Sequence, residues 1–315
     1  MKQVQLSELN PKEIMDEAIE QGLTDFYVAY SGGKDSGVVL DMMAKDFSDY
    51  FKGVVFVNTG IGTQATLDYI TDYCKKRNYK LFIVKPEDVI RKKKTIRGDV
   101  GDQFSYEALV MNYGFPQQSF HTVAMRHLKY FPLRKFIYDR LERGEKPCIV
   151  GGIRKYESAR RKIKWNKHFY NDGKMWFVLP IFFKRDEWVY DYFIKNDIKR
   201  SPVYETLHIS GDCLCGCFAK KEELKLLEMF HPEVFAEIKR LEKLLKEKGT
   251  PEAKKHASWG IHNQTTESVE SQSQLESFVC SDCLFDRNTT DEDTKRFNDE
   301  MADIDKKLVN MKNDT

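Results

Sequence analysis

An apolar run, Phe26–Tyr30, passes directly into Ser31-Gly32-Gly33-Lys34-Asp35-Ser36 and from there into a helix-forming stretch, Gly37–Lys45. A strand that ends in two glycines and restarts as a helix leaves the backbone little choice. The turn must reverse tightly, and the first helical amides, which have no intrahelical acceptor, point at one spot. Gly32 and Gly33 allow close backbone approach, the helix terminus adds partial positive charge, and Lys34 adds a full one. The segment therefore reads as an anion site. The Walker spacing, Gly-x4-Gly-Lys-Ser/Thr, is absent.

The pattern around this turn sets the fold class. Val54–Asn58, Leu81–Val84 and Cys148–Gly151 are further short strands, largely apolar on both faces as buried parallel strands require, and Gln64–Lys76 reads as a helix between two of them. Strands alternating with helices imply an α/β fold, a parallel twisted sheet flanked by helices, over residues 1–205. After Tyr204 comes a Gly/Cys-rich knot, Gly211-Asp212-Cys213-Leu214-Cys215-Gly216-Cys217-Phe218, and then a Lys/Glu/Leu-rich helical stretch with Ile238, Leu241 and Leu245 on one face, stopped by Gly249 and Pro251. Residues 206–290 are expected to form a cysteine-rich helical appendage, with a flexible connector from Thr250 to Glu276 and a charged tail over 291–315.

Charge and cysteine usage narrow the function classes. Lys and Arg number 51 against 49 Asp and Glu, a net +2, so any nucleic-acid contact must be a local patch. The longest apolar run, Met175–Phe183, is broken by Pro180 and falls far short of the roughly 20 residues that span a bilayer. Met1–Met15 has no apolar core of a signal peptide, and the cytoplasm, with reduced thiols, is the expected compartment. Seven cysteines, five of them within Cys213–Cys283, fit a metal or cluster site better than a disulfide framework. Cys74 and Cys148, on a helix and a strand, read as core residues. His208 and His231 read as surface or cap residues.

Ser31–Ser36 resembles the PP-loop of the N-type ATP pyrophosphatases, and a second segment sharpens the likeness. The fourth strand ends in Gly151-Gly152-Ile153-Arg154-Lys155-Tyr156-Glu157-Ser158-Ala159-Arg160-Arg161, similar to the G-x-R-x-x-E-S-x-x-R pattern of the phosphoadenosine phosphosulfate (PAPS) reductase branch. Phe56-Val57-Asn58-Thr59-Gly60 is close to that branch's F-x-D-T-G, with Asn58 in place of the acid. The resemblance runs from about Asp25 to Cys217 and implies an adenine nucleotide alpha hydrolase-like fold. It also implies a nucleotide held by Ser31, Gly32, Gly33, Lys34, Asp35, Ser36, Asn58, Thr59, Gly60, Gly152, Glu157 and Ser158. Lys34, Asp35, Arg154 and Arg161 would be the catalytic residues, the arginine forks suiting phosphate oxygens. ATP is the expected nucleotide, with Mg2+, and PAPS or APS the alternative.

Two family features are missing. Where the Fe–S-dependent sulfonucleotide reductases carry C-C-x-x-R-K-x-x-P-L, this chain has Ala124-Met125-Arg126-His127-Leu128-Lys129-Tyr130-Phe131-Pro132-Leu133. Where they carry a C-terminal E-C-G-x-H, it has Ser258-Trp259-Gly260-Ile261-His262, with tryptophan at the position of the nucleophilic thiol. A thiol mechanism needs a thiolate, so a standard reductase route requires one of the other cysteines.

Cys213, Cys215, Cys217, Cys280 and Cys283 supply more than the four thiolates that a 4Fe-4S cluster takes, and structural zinc is the competing reading. The family likeness then suggests sulfur transfer. An acceptor, DNA as in the phosphorothioation proteins or tRNA as in cluster-containing thiolation enzymes, would be adenylated and thiolated with sulfur from a donor such as a cysteine desulfurase. The alternatives are a PAPS or APS reductase forming sulfite, and a non-catalytic nucleotide-binding Fe–S subunit. Basic residues with interleaved aromatics from Arg154 to Lys167, including Arg160, Lys162, Lys164 and Trp165, suit a nucleic-acid strand or a solvated loop over a nucleotide, as do Arg91–Lys94 and Arg97.

Overall fold

The computed structural model describes residues 9–89, 104–157, 167–171, 175–219 and 221–260. Six strands, β1 (Asp25–Ala29), β2 (Phe51–Val57), β3 (Leu81–Val84), β4 (Pro147–Val150), β5 (Phe169–Asn171) and β6 (Trp176–Val178), form one sheet in the order β3-β2-β1-β4-β6-β5. All neighbours are parallel except the β5–β6 pair at one edge. The four strands expected from the sequence are present. The apolar run after Met175 supplies the fifth parallel strand, β6, a length too short to identify by periodicity alone.

The chain leaves β1 toward β2 and β3 on one side, and β4 and β6 lie on the other. The order thus reverses between β1 and β4, and the crevice beyond their carboxyl ends is where open sheets of this kind bind ligands. The strand period of two sends side chains to opposite faces. Phe26 and Val28 of β1 join a core with Ile14, Leu40, Ile70 and Cys148, whereas Tyr27 joins another with Val55, Phe136, Ile149 and Phe177.

Helices α1 (Pro11–Glu20), α2 (Lys34–Asp46) and α3 (Gln64–Lys76) supply the first of these cores. A capping box starts α1: Asn10 accepts from the amides of Lys12 and Glu13, and Glu13 accepts from the Asn10 amide. Next along the chain come α4 (Tyr106–Tyr113), α5 (His121–Met125), a five-residue π turn at Arg126–Tyr130, and α6 (Phe131–Leu141), which covers the opposite face of the sheet. Pro132 accounts for the widening. It has no amide for the Leu128 carbonyl, and its ring crowds the preceding turn.

Beyond β6 lie α7 (Asp186–Lys195), α8 (Val203–Leu207), α9 (Lys221–Phe230), α10 (Pro232–Lys248) and α11 (Pro251–Lys254). Ile238, Leu241 and Leu245 are buried as their spacing predicts. The single helical stretch expected there is two helices, divided at His231-Pro232, and His231 is a buried cap residue that hydrogen-bonds Thr206. His208 is exposed and ends α8 in a left-handed conformation. Cys74 and Cys148 are core residues, and burial pushes the Cys74 thiol up to about 12.

A separate cluster packs Tyr106, Leu109, Val110, Leu128 and Val203 against Cys213, Cys215, Cys217, Ile238, Leu241, Leu245 and Trp259. The start of the expected connector is therefore not loose: Pro251 begins a capped helix rather than only ending one, and Trp259 is buried. Residues 261–276 of that connector and the tail over 291–315 lie outside the described residues.

Trp259 donates its indole N–H to the Leu214 carbonyl at 2.9 Å and lies over Gly216. Trp259→Ala is expected to lower unfolding free energy by about 3–5 kcal/mol in urea titrations. It should also speed the reaction of the Cys213–Cys217 thiols with a disulfide reagent, because the indole fastens their loop.

Candidate active site

The anion turn forms as its residues dictate. Gly32 takes a left-handed φ of +80°, and Gly33 caps α2 without any side-chain hydrogen bond, so the first amides of the helix are not occupied by a capping side chain. The Ser31 and Ser36 hydroxyls lie 3.1 Å apart, the Ser31 amide donates to Ser36 Oγ, and the Ser36 hydroxyl reaches the Gly33 carbonyl at 3.3 Å. The two serines thus staple the turn closed.

The segment after β4 lies directly on this turn. A Cβ on Gly152 would sit 2.8 Å from the Asp35 carbonyl carbon and the Ser36 nitrogen, so only glycine lets the two loops touch. Gly152 contributes loop contact. Arg154 changes role as well, because its side chain is 2% exposed and its fork is already engaged. Nε donates to Asp35 Oδ1 at 2.9 Å, Nη2 to Asp186 Oδ1 at 2.7 Å, and Nη1 reaches the Lys184 carbonyl at 3.5 Å. Arg154 thus ties the turn to α7, with its fork engaged by Asp35, Asp186 and the Lys184 carbonyl.

Asp186 is the residue that sequence reasoning missed. Its Oδ1 also accepts from Lys34 Nζ at 3.3 Å. Burial alone would raise its carboxyl, but Arg154 and then Lys34 outweigh that and hold it below the usual carboxylate range. Only a motif spanning residues 34, 154 and 186 could have revealed it.

Asn58 accepts from the Gly60 amide through Oδ1 at 3.1 Å, so its amide oxygen closes the turn that a carboxylate would close. Thr59 is fully buried and donates to the Asp212 carbonyl at 3.2 Å. Thr59 therefore faces the cysteine loop. Glu157 is half-buried beyond Arg154, and Ser158 and Arg161 lie outside the described residues.

The cysteine loop is laced to the same crevice. Thr63 N–H donates to the Gly211 carbonyl, Leu214 N–H to the Ile61 carbonyl, Thr66 to the Ser210 carbonyl and Tyr106 to the Cys215 carbonyl, at 2.6–2.9 Å. Lys129, buried on the π turn, pairs with Asp212 at 2.8 Å. A small recess is lined by His121, Ala124, Met125, Leu128, Lys129, Cys213 and Cys215.

Among the described residues no group of three or more His, Cys, Asp or Glu side chains is placed to hold a metal ion, Cys213, Cys215 and Cys217 included. Cys280 and Cys283 lie outside the described residues, as do Arg91–Lys94, Arg97, Arg160, Lys162, Lys164 and Trp165. No described helix is long and apolar enough to cross a membrane.

Gly152→Ala should push the β4 loop off Asp35–Ser36. The expected result is a loss of about 1–3 kcal/mol in stability together with weaker pyrophosphate binding by calorimetry. Wild-type values for both would remove the close approach from the site's design.

The phosphoadenosine phosphosulfate reductase domain model matches residues 25–217. The Methanocaldococcus jannaschii protein MJ0066 is 31% identical over 192 residues, covering 61% of this chain, which spans only 35% of that protein's length. Among solved structures, phosphoadenylyl-sulfate (PAPS) reductase from Candida auris is 18% identical, with a TM-score of 0.42 and coverage of 64% of this chain and 86% of that one. The U34-tRNA thiolase NcsA from Methanococcus maripaludis, with its [4Fe-4S] cluster, is 15% identical, with a TM-score of 0.38 and coverage of 75% and 78%. The matched family region includes the stapled turn, the β4 loop lying on it and the thiol loop laced beside them: the chain belongs to the phosphoadenosine phosphosulfate reductase domain family.

Proposed function

We propose that this chain is an adenine-nucleotide-dependent sulfur-transfer enzyme, in which Ser31–Ser36 holds the nucleotide's phosphates and thiols of the 213–217 loop carry the sulfur. One observation carries the reading. Ala124, Met125 and Trp259, the positions at which the family likeness expects thiols, pack around Cys213, Cys215 and Gly216. The thiols absent from those three positions have counterparts on the loop that they surround.

With ATP, an oxygen of the acceptor attacks the α-phosphorus, the bond to the bridging oxygen breaks, and pyrophosphate leaves while Lys34 offsets the developing charge; a magnesium ion, when bound with the nucleotide, would supply further charge neutralisation. The terminal sulfur of a persulfide on one loop cysteine, loaded by a donor such as a cysteine desulfurase, then displaces AMP. A second loop thiol cleaves the resulting mixed disulfide, releasing the thiolated acceptor, and an external dithiol reduces the disulfide left behind. The basic and aromatic composition of residues 154–167 suits a DNA or tRNA acceptor. A sulfonucleotide reductase is the second reading, favoured by the β4 loop sequence and by thiols beside the anion turn.

Anaerobic incubation with ATP or PAPS separates the two. Pyrophosphate from ATP is expected, and sulfite from PAPS would replace this reading with the reductase. Lys34→Ala should reduce pyrophosphate release at least about a hundredfold with an unchanged circular dichroism spectrum. Retained turnover would remove the loop assignment.

Whether the five clustered cysteines also bind iron is tested by composition. Cys280→Ser is expected to strip iron and acid-labile sulfide from anaerobically purified protein. An unchanged iron-to-protein ratio excludes Cys280, and zinc in place of iron identifies the alternative metal.

A further inference from the structure

Helix α7 does more than cover the crevice. Asp186 and Tyr190 are one helical turn apart, on one face of α7, and between them they hold the ammonium of Lys34: Asp186 Oδ1 at 3.3 Å and the Tyr190 ring centroid at 3.6 Å. Lys34 is left with a side-chain exposure of 11%, although it is the one cation that the anion turn itself supplies. Two carboxylates, Asp35 and Asp186, face two cations, Arg154 and Lys34, so the cluster beside the turn is neutral before any ligand arrives.

We propose that α7 parks Lys34, and that a phosphate entering the Ser31–Ser36 turn must take the ammonium from Asp186. The proposal rests on the reading of that turn as the phosphate cradle and adds a control on its occupancy. The geometry says which partner moves. Arg154 is fixed by Asp35 and by the Lys184 carbonyl and holds Asp186 at 2.7 Å, whereas Lys34 reaches the same oxygen at 3.3 Å on a four-carbon stem. Lys34 can therefore leave Asp186 while the Arg154–Asp186 pair stays intact. Tyr190, 38% exposed, and Asp186, 54% exposed, form the solvent side of the clamp, and Lys34 forms the inner side.

The clamp carries two consequences. It leaves this four-residue cluster with no net charge, so that an anion too weak to displace a carboxylate does not draw Lys34 away. It also makes occupancy sensitive to the charge at residue 186, with a sign opposite to that of a merely structural aspartate. Losing a structural ion pair weakens a site, whereas losing a competitor strengthens it.

The test uses the full chain and two readouts. The first needs no ligand: the rate of Lys34 acetylation by acetic anhydride, followed by mass spectrometry and normalised to Lys45, whose side chain is 50% exposed. Asp186→Asn, which keeps the shape and removes the charge, is expected to speed Lys34 labelling severalfold, and Tyr190→Ala should do the same while Tyr190→Phe does not. The second readout is calorimetric affinity for inorganic pyrophosphate with and without magnesium. Asp186→Asn should tighten binding about five- to tenfold, a shift of about 1–1.4 kcal/mol, and Lys34→Gln should remove that gain.

Unchanged Lys34 labelling in Asp186→Asn overturns the clamp. Faster labelling without tighter pyrophosphate binding overturns the competition. Weaker binding confined to the magnesium arm also overturns it, by making Asp186 a metal ligand of the loaded site. Pyrophosphate affinity indifferent to Lys34→Gln, with labelling still faster in Asp186→Asn, would instead refute the cradle reading and leave the clamp standing.

Discussion

The buried guanidinium of Arg154 holds this site together. A charge that is almost wholly removed from water is tolerated only if its donors are met by carboxylates in good geometry, and here the carboxylates come from two distant parts of the chain, Asp35 at the start of α2 and Asp186 at the start of α7. One side chain on the β4 loop thereby fixes the anion turn after β1 and the helix after β6 in a single arrangement. Truncating it would leave two carboxylates facing each other across the topological switch of the sheet.

The thiol loop is secured differently. Its carbonyls are taken by Thr63, Thr66, Tyr106 and Trp259, its Leu214 N–H donates to the Ile61 carbonyl, and its one acidic side chain pairs with Lys129. These donors lie just before α3 (Thr63), on α3 (Thr66), on α4 (Tyr106), on the π turn opened by Pro132 (Lys129) and at Trp259. The crevice is thus assembled from two clamps, one of ion pairs around the Ser31–Ser36 turn and one mainly of neutral hydrogen bonds around the cysteines, which meet where Thr59 bonds the Asp212 carbonyl.

Much of the fold was legible because its signals are local. A continuous apolar run before a Gly-Gly turn specifies β1 and α2, and spacings of three and four specify the buried face of α10. The same reasoning failed where the decisive group lay far away in sequence. Thr250–Trp259 reads as a polar connector, yet Trp259 finds a deep apolar slot over Gly216, and tertiary burial overrides composition. Arg154 reads as a phosphate ligand from its motif, but nothing near it in sequence announces Asp186.

The sequence by itself determined the strand–turn–helix segment, the parallel sheet and the family, because each depends on local patterns of a few residues. Only the tertiary structure decided what those residues do. It turned Arg154 inward and placed Lys34 between Asp186 and Tyr190. It also brought Cys213 and Cys215 to the recess lined by Ala124 and Met125, and set Trp259 over Gly216. Such pairings are set by which charges and apolar faces meet when the sheet closes, and that choice is made across more than a hundred residues of chain.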